Sequence, residues 1–170
     1  MKIYLVRHGQ SRWQVTKDDI DWNSPLSDLG QKQAGLLAHW LAEHAALDNG
    51  SRLEIGRIRV SPLLRAQQTA APISHSLNLP LTTDDNLQEA NFYVSEHLPS
   101  VESPYQSFPV YTPTDTYAAF KRQVMDGLHG LVAAAEESGQ PVLGVAHGGL
   151  ISTMLRQAVG SDTISFWAYN

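Results

Sequence analysis

Two short apolar runs, Ile3 to Val6 and Val142 to Ala146, each lead directly into a histidine followed by glycine, Arg7-His8-Gly9 in one case and His147-Gly148-Gly149 in the other. Runs of that length, rich in β-branched residues and bounded by glycine, suit buried strands better than helices. The glycine behind each histidine allows a tight turn and removes a Cβ from the path of a ligand. Such a chain therefore builds strands whose carboxyl ends each deliver an imidazole to an open turn.

The rest of the sequence fills in helices between strands. Residues 12–25 show mixed charge and no period and read as loop. Ser27 suits an N-cap, and Leu29, Leu36, Leu37, Trp40 and Leu41 follow at helical spacing as a core stripe fading near Leu47 to Gly50. Ile58 to Val60 reads as a strand. Ser61 as N-cap and Pro62 at the first helical position then open a helix expected to stop or kink ahead of Pro72. Leu79 to Thr83 suits a third short strand, and the stretch from Asn86 to Pro113 holds Pro99, Pro104, Pro109 and Pro113 and reads as a long loop. A helix from Thr114 carries Tyr117, Phe120, Val124, Leu128, Leu131, Val132 and Ala135 on one face and stops at Ser138-Gly139. A short helix from Leu150 to Val159 follows the second histidine, and Ile164 to Ala168 suits a last strand. Strands alternating with helical patterns indicate an α/β fold: a three-layer αβα sandwich, its sheet mostly parallel, with residues 1–170 as a single domain.

Composition excludes several classes. With no cysteine there is neither a disulfide framework nor a thiolate metal site. No apolar run approaches the length of a spanning helix. Arg7 and His8 interrupt the first apolar run too early for a signal peptide, so a cytoplasmic location is the default expectation. A net charge of −5 argues against nucleic acid as partner, because that binding needs a basic face. Any anion must then be held by a local cluster of cations.

The topology supplies such a cluster. In parallel α/β sheets ligands bind beyond the carboxyl ends of the strands, and His8, Arg65 and His147 each follow closely on one. Arg7 and Arg65 are planar, permanently charged forks that match phosphate oxygens bidentately. The helix opened by Ser61 would add its free N–H groups. Two arginines and two histidines suit a small dianion, with phosphate the natural candidate. A neutral imidazole facing a clamped phosphoryl group can act as nucleophile, and a leaving alkoxide needs a proton, for which Glu89, Asp84 and Asp85 are all placed. Each of these residues alone has an ordinary structural explanation; their convergence is what favours function. His39, His44, His75, His97 and His129 lack matching partners. No metal-ligand spacing appears and no cofactor is expected.

Arg7-His8-Gly9, PLSDLGQKQA from Pro25 to Ala34, SPLLRAQQTA from Ser61 to Ala70, Leu87-x-Glu89 and His147-Gly148-Gly149 occur in the order seen in the histidine phosphatase superfamily. The chain resembles its phosphoglycerate-mutase-like branch. The resemblance implies that His8 is the phosphorylated nucleophile and that Arg7, Arg65 and His147 clamp the phosphate. It selects Glu89 over the two aspartates as proton donor, and places Gly9, Gln14 and Gly148 against the substrate. Gln14 stands where many relatives carry Asn, residues 90–100 read ANFYVSEHLPS where relatives have a Trp-Glu-Gly-like stretch, and relatives run one more strand past a residue like Asn170. Phe92, Tyr93, Tyr105, Phe108 and Tyr111 are candidates for an apolar substrate wall.

The resulting expectation is a metal-independent phosphatase acting on a small phosphorylated metabolite through a phosphohistidine intermediate. Three alternatives stand beside it: a phosphoglycerate mutase, a phosphatase acting on phosphohistidine in a phosphoprotein, and a non-catalytic phosphate-binding module. A serine-esterase reading of His147-Gly148-Gly149 fails for want of a G-x-S-x-G elbow.

Overall fold

The computed structural model describes residues 2–16, 22–43, 53–99 and 111–160. Its four strands, β1 (Ile3–Arg7), β2 (Arg57–Val60), β3 (Leu81–Thr83) and β4 (Val142–Ala146), form one sheet in the order β1-β4-β2-β3 with every pairing parallel. The expected α/β architecture is present. The strand expected at Ile164 to Ala168 and the fading of the first long helix near Leu47 to Gly50 lie outside the described residues.

Strand β4 explains the layering. It is buried along its whole length, and its side chains alternate between two cores. Val142 and Ala146 face Tyr117, Phe120, Val124 and Leu131 of α4 (Asp115–Ser138) with Leu150 and Met154 of α5 (Gly148–Val159). Leu143 and Val145 face Ala38 and Leu41 of α2 (Asp28–Glu43) with Ala66, Ala70 and Ile73 of α3 (Leu64–Leu77). Helix α4 begins as expected: Thr114 Oγ1 accepts from Tyr117 N–H, and Gly139, at φ 63°, ends the helix in the left-handed conformation.

Five local expectations are corrected. Residues 12–16, read as loop, form a short helix, α1 (Arg12–Thr16), because its first amides find remote acceptors: Arg12 N–H bonds Pro25 O and Trp13 N–H bonds Ser24 Oγ. Trp40, Leu29 and Leu36 are not core but 44%, 51% and 70% exposed. The buried stripe of α2 is Gly30, Ala34, Ala38 and Leu41, whose small side chains let the helix lie close to its neighbours. Helix α3 starts at Leu64 with no side-chain cap of its own from Leu63, so Ser61 is not its N-cap and Pro62 lies ahead of it. Leu64 N–H is instead taken by Asn23 Oδ1 at 2.6 Å. Pro72 does not end α3, which runs on to Leu77 with Ile73 fully buried beyond the proline; packing on the sheet outweighs the lost hydrogen bond. Within the stretch expected as loop from Asn86, 3₁₀ turns at Asp85–Leu87 and Val94–His97 anchor buried Leu87 and Val94 in the α4 core.

Candidate active site

Parallel pairing puts the ends of β1 and β4 side by side: Arg7 is opposite Ala146, and His8 N–H donates to Ala146 O at 2.9 Å. This brings His8 and His147 together, with ring centroids 5.1 Å apart and planes tilted by 58°. Arg65, in the first turn of α3, completes the group by donating from Nε to His8 Nε2 at 3.2 Å. All three side chains are buried.

The hydrogen bonds of His8 fix its tautomer. A guanidinium can only donate, so Nε2 carries a lone pair. Nδ1 therefore carries the hydrogen and donates it to Gly9 O at 2.6 Å. Burial, together with the Arg65 and Arg7 charges, lowers the imidazole pKa to about 4, against the opposing bond to Gly9. His8 is thus neutral at physiological pH with its lone pair turned toward Arg65.

Arg65 is aimed by a turn far away in sequence. Its Nη1 donates to Trp22 O at 2.6 Å, and the guanidinium lies 5.8 Å from the Trp22 ring. Thr69, one turn along α3, donates its hydroxyl to Arg65 O and accepts Gly9 N–H at 3.1 Å, tying α3 to the histidine turn. The small size of Gly9 serves packing: a Cβ there would come within 2.6 Å of Gly30 O. Gly148 answers a different need, since a Cβ would lie 3.3 Å from Arg7 Nε, so this glycine lets the Arg7 side chain pass. Burial lowers the Arg7 pKa from its ordinary value, with the Glu89 carboxylate working against the shift.

His147 follows β4 and is fully buried. Its Nε2 lies 2.7 Å from Ser61 Oγ, while Nδ1 is buried without a hydrogen-bond partner among the described residues. Burial, then the charges of Arg65, His8 and Arg7, hold its pKa well below the ordinary histidine value, so it too is neutral.

Glu89 reaches the site from the 3₁₀ turn after β3 and rests on the first turn of α5. Oε2 accepts Gly149 N–H at 2.9 Å, and Oε1 accepts Leu150 N–H at 2.9 Å and Ala90 N–H at 3.1 Å. Gly149 is essential to this seat, because a Cβ would fall 2.7 Å from Oε1. Burial raises the carboxyl pKa; the amides of Gly149 and Ala90, the Arg65 charge and the Leu150 amide pull the other way. The two rival aspartates are otherwise engaged: Asp84 pairs with Arg59 at 3.2 Å and accepts from Asn86 N–H, and Asp85 opens the 3₁₀ turn.

The structure thus gathers Arg7, His8, Arg65, Glu89, His147 and Gly148 at one sheet edge. Gln14 sits in α1, its Oε1 accepting Ser11 N–H at 2.8 Å. The amides expected to open α3 toward an anion are taken by Ser61 Oγ, for Leu63, and by Asn23, for Leu64. Ser61, Thr69, Asn23 and the Trp22 carbonyl are contributors that spacing did not reveal. Among the described residues no group of three or more His, Asp or Glu side chains is placed to hold a metal ion, and no helix is long and apolar enough to cross a membrane.

A parallel α/β sheet thus brings two neutral histidines, two arginines and a carboxyl to one edge. The chain belongs to the histidine phosphatase superfamily (branch 1), whose family model matches residues 3–170. It is 29% identical over 167 residues to the uncharacterized phosphatase PhoE of Bacillus subtilis, covering 94% of this chain and 78% of that one. Over 84 residues it is 33% identical to the phosphohistidine phosphatase SixA of Escherichia coli, a match covering 49% of this chain and 46% of that protein. Its fold is similar to that of a phosphoglycerate mutase from Bacillus anthracis, with a TM-score of 0.69 at 20% identity over 96% of this chain and 82% of that one.

Proposed function

We propose that this protein is a phosphatase that hydrolyses a small phosphomonoester, without a metal, through a phosphohistidine on His8. The observation that carries the reading is the His8 Nε2 lone pair that accepts Arg65 Nε–H, on an imidazole whose pKa burial and the Arg65 and Arg7 charges lower. In the first step the substrate phosphoryl group displaces the Arg65 Nε–H from that lone pair. Nε2 then bonds to phosphorus as the bond to the leaving oxygen breaks. The imidazole becomes a phosphorylated cation whose Nδ1–H remains on Gly9 O. Arg7, Arg65 and His147 hold the non-bridging oxygens, and protonated Glu89 gives its hydrogen to the leaving oxygen. In the second step water attacks phosphorus, Glu89 takes its proton, the N–P bond breaks and His8 returns to its neutral form.

Hydrolysis is favoured over mutase action by charge. A mutase must hold the second anionic group of a sugar acid, yet the sequence carries no Lys or Arg between Leu77 and Thr116. A phosphohistidine-protein substrate is the second reading, motivated by the 33% identity to the Escherichia coli phosphohistidine phosphatase. Phosphohistidine leaves readily, so such an enzyme needs little from Glu89. Glu89→Gln should cut turnover of an alkyl phosphate by roughly 100-fold or more and spare a phosphohistidine peptide only if the second reading is right.

The nucleophile is tested by quenching the enzyme with phosphorus-labelled substrate. Wild type should yield an acid-labile, alkali-stable phosphoenzyme, and His8→Ala should yield none and lose aryl phosphatase activity. Labelling or more than trace turnover in His8→Ala overturns the assignment.

A further inference from the structure

Ser61 carries a chemistry that the helix-capping expectation hid. It is fully buried, and its hydroxyl oxygen makes two contacts: Leu63 N–H donates to it at 3.3 Å, and His147 Nε2 lies 2.7 Å away. Among the described residues the Ser61 hydroxyl makes no further hydrogen bond. Its hydrogen therefore has one acceptor, His147 Nε2. Were the imidazole the donor in this contact, the buried hydroxyl hydrogen would have nowhere to go, a cost that native structures rarely accept. With Nε2 accepting, the hydrogen of the neutral ring sits on Nδ1, which is buried and makes no bond within the described protein.

We infer that Ser61 is a positioning residue that holds His147 as the Nδ1–H tautomer, so that this imidazole meets the phosphoryl group as a neutral hydrogen-bond donor. The inference rests on the phosphoryl-transfer reading of the site. Both histidines then carry hydrogen on Nδ1 but present opposite faces to the substrate. His8 turns Nδ1–H back onto Gly9 O and offers the Nε2 lone pair; His147 turns Nε2 back onto Ser61 and offers Nδ1–H. A neutral donor adds a hydrogen bond to an oxyanion without a further charge beside Arg7 and Arg65. The opposite tautomer would point a lone pair at phosphate oxygen and repel it. Ser61 does not touch substrate in this scheme; it acts through His147.

The test is long-range proton–nitrogen NMR of the full-length, nitrogen-labelled protein, with the His147 signals assigned by their absence from His147→Gln. Wild type should show Nδ1 protonated and Nε2 bare. In Ser61→Ala the His147 signals should move toward the Nε2–H form, with kcat/KM on an aryl phosphate and vanadate affinity each falling about 10- to 100-fold, the scale of one lost hydrogen bond to a charged group. Ser61→Thr, which keeps a hydroxyl, should restore the tautomer and most of the activity. A bare Nδ1 in wild type overturns the inference without any variant, which covers the case of Ser61→Ala failing to fold. So does an unchanged tautomer in folded Ser61→Ala. Failure of the underlying reading looks different: wild type forms no phosphoenzyme, whatever tautomer His147 adopts.

Discussion

The neutrality of His8 and the raised pKa of Glu89 make opposite demands on pH. In the proposed mechanism His8 must be deprotonated to attack, so with its pKa lowered to about 4 the imidazole should be available over nearly the whole working range, and activity should fall as pH drops through that value. In the same proposed mechanism Glu89 must be protonated to assist the leaving group, so activity on an alkyl phosphate should fall as pH rises past its upward-shifted pKa. A kcat/KM profile should therefore be bell-shaped, with an acid limb near 4 and a basic limb above the ordinary glutamate range. Glu89→Gln should abolish the basic limb and leave the acid one. A basic limb that persists in Glu89→Gln assigns it to another group. At this same scale the meeting of His8 and His147 was readable in the sequence, because each histidine lies in a strand–turn motif with its own glycine. It left their supports unreadable: Ser61 is 86 residues from His147 and Thr69 is 60 residues from Gly9, and no local period reports such pairings. Thr69→Val tests one of them. It leaves the buried Gly9 N–H without an acceptor and should cost about 1–3 kcal/mol of stability by denaturant titration, together with a loss of activity as the His8 turn loosens.

Helix α2 shows why elements were located more reliably than their faces. Its start at Ser27 is a local matter, with Ser27 Oγ accepting Gly30 N–H at 3.1 Å, and it was legible. Its orientation is a tertiary matter. Large side chains at helical spacing suggested the core face, and Leu41 does lie there, yet the rest of the buried face is glycine and alanine because α2 must lie against both α3 and the histidine turn. Gly30 is the tightest point: a Cβ there would stand 2.1 Å from Gln10 O. Gly30→Ala should therefore destabilise by about 1–3 kcal/mol and, by pushing on the turn that holds His8 and Gly9, lower kcat as well. Leu36→Ser, on the 70% exposed side of the same helix, should change stability by less than about 0.5 kcal/mol. Equal effects of the two in thermal denaturation would mean that the face assignment is wrong. The continuation of α3 through Pro72 has the same origin, since burial of Ile73 is a property of the sheet beneath it and not of the local sequence.

On the scale of the whole molecule, a protein of net charge −5 concentrates positive charge at one sheet edge. The charges of Arg7 and Arg65 both act there on two imidazoles that burial keeps neutral. Two guanidinium charges bearing on one pair of buried neutral imidazoles suit a dianion, so the folded state should gain stability from small oxyanions that the unfolded chain does not bind. Vanadate at about 100 times its dissociation constant adds roughly 2.7 kcal/mol by mass action. For a chain of this length each kcal/mol moves the Tm by about 2–4 °C, which gives an expected rise of roughly 5–11 °C. Arg65→Ala has a lower Tm of its own, because it loses the bonds to Trp22 O and His8; the informative quantity is the vanadate-induced rise, which should shrink to about a degree at the same vanadate concentration. A chelator should alter neither the rise in wild type nor its turnover, since the guanidinium groups supply the positive charge. Absence of a rise in wild type, or an equal rise in Arg65→Ala, would mean that the converging cations do not form an oxyanion site, and a chelator-sensitive rise would assign the anion to a metal.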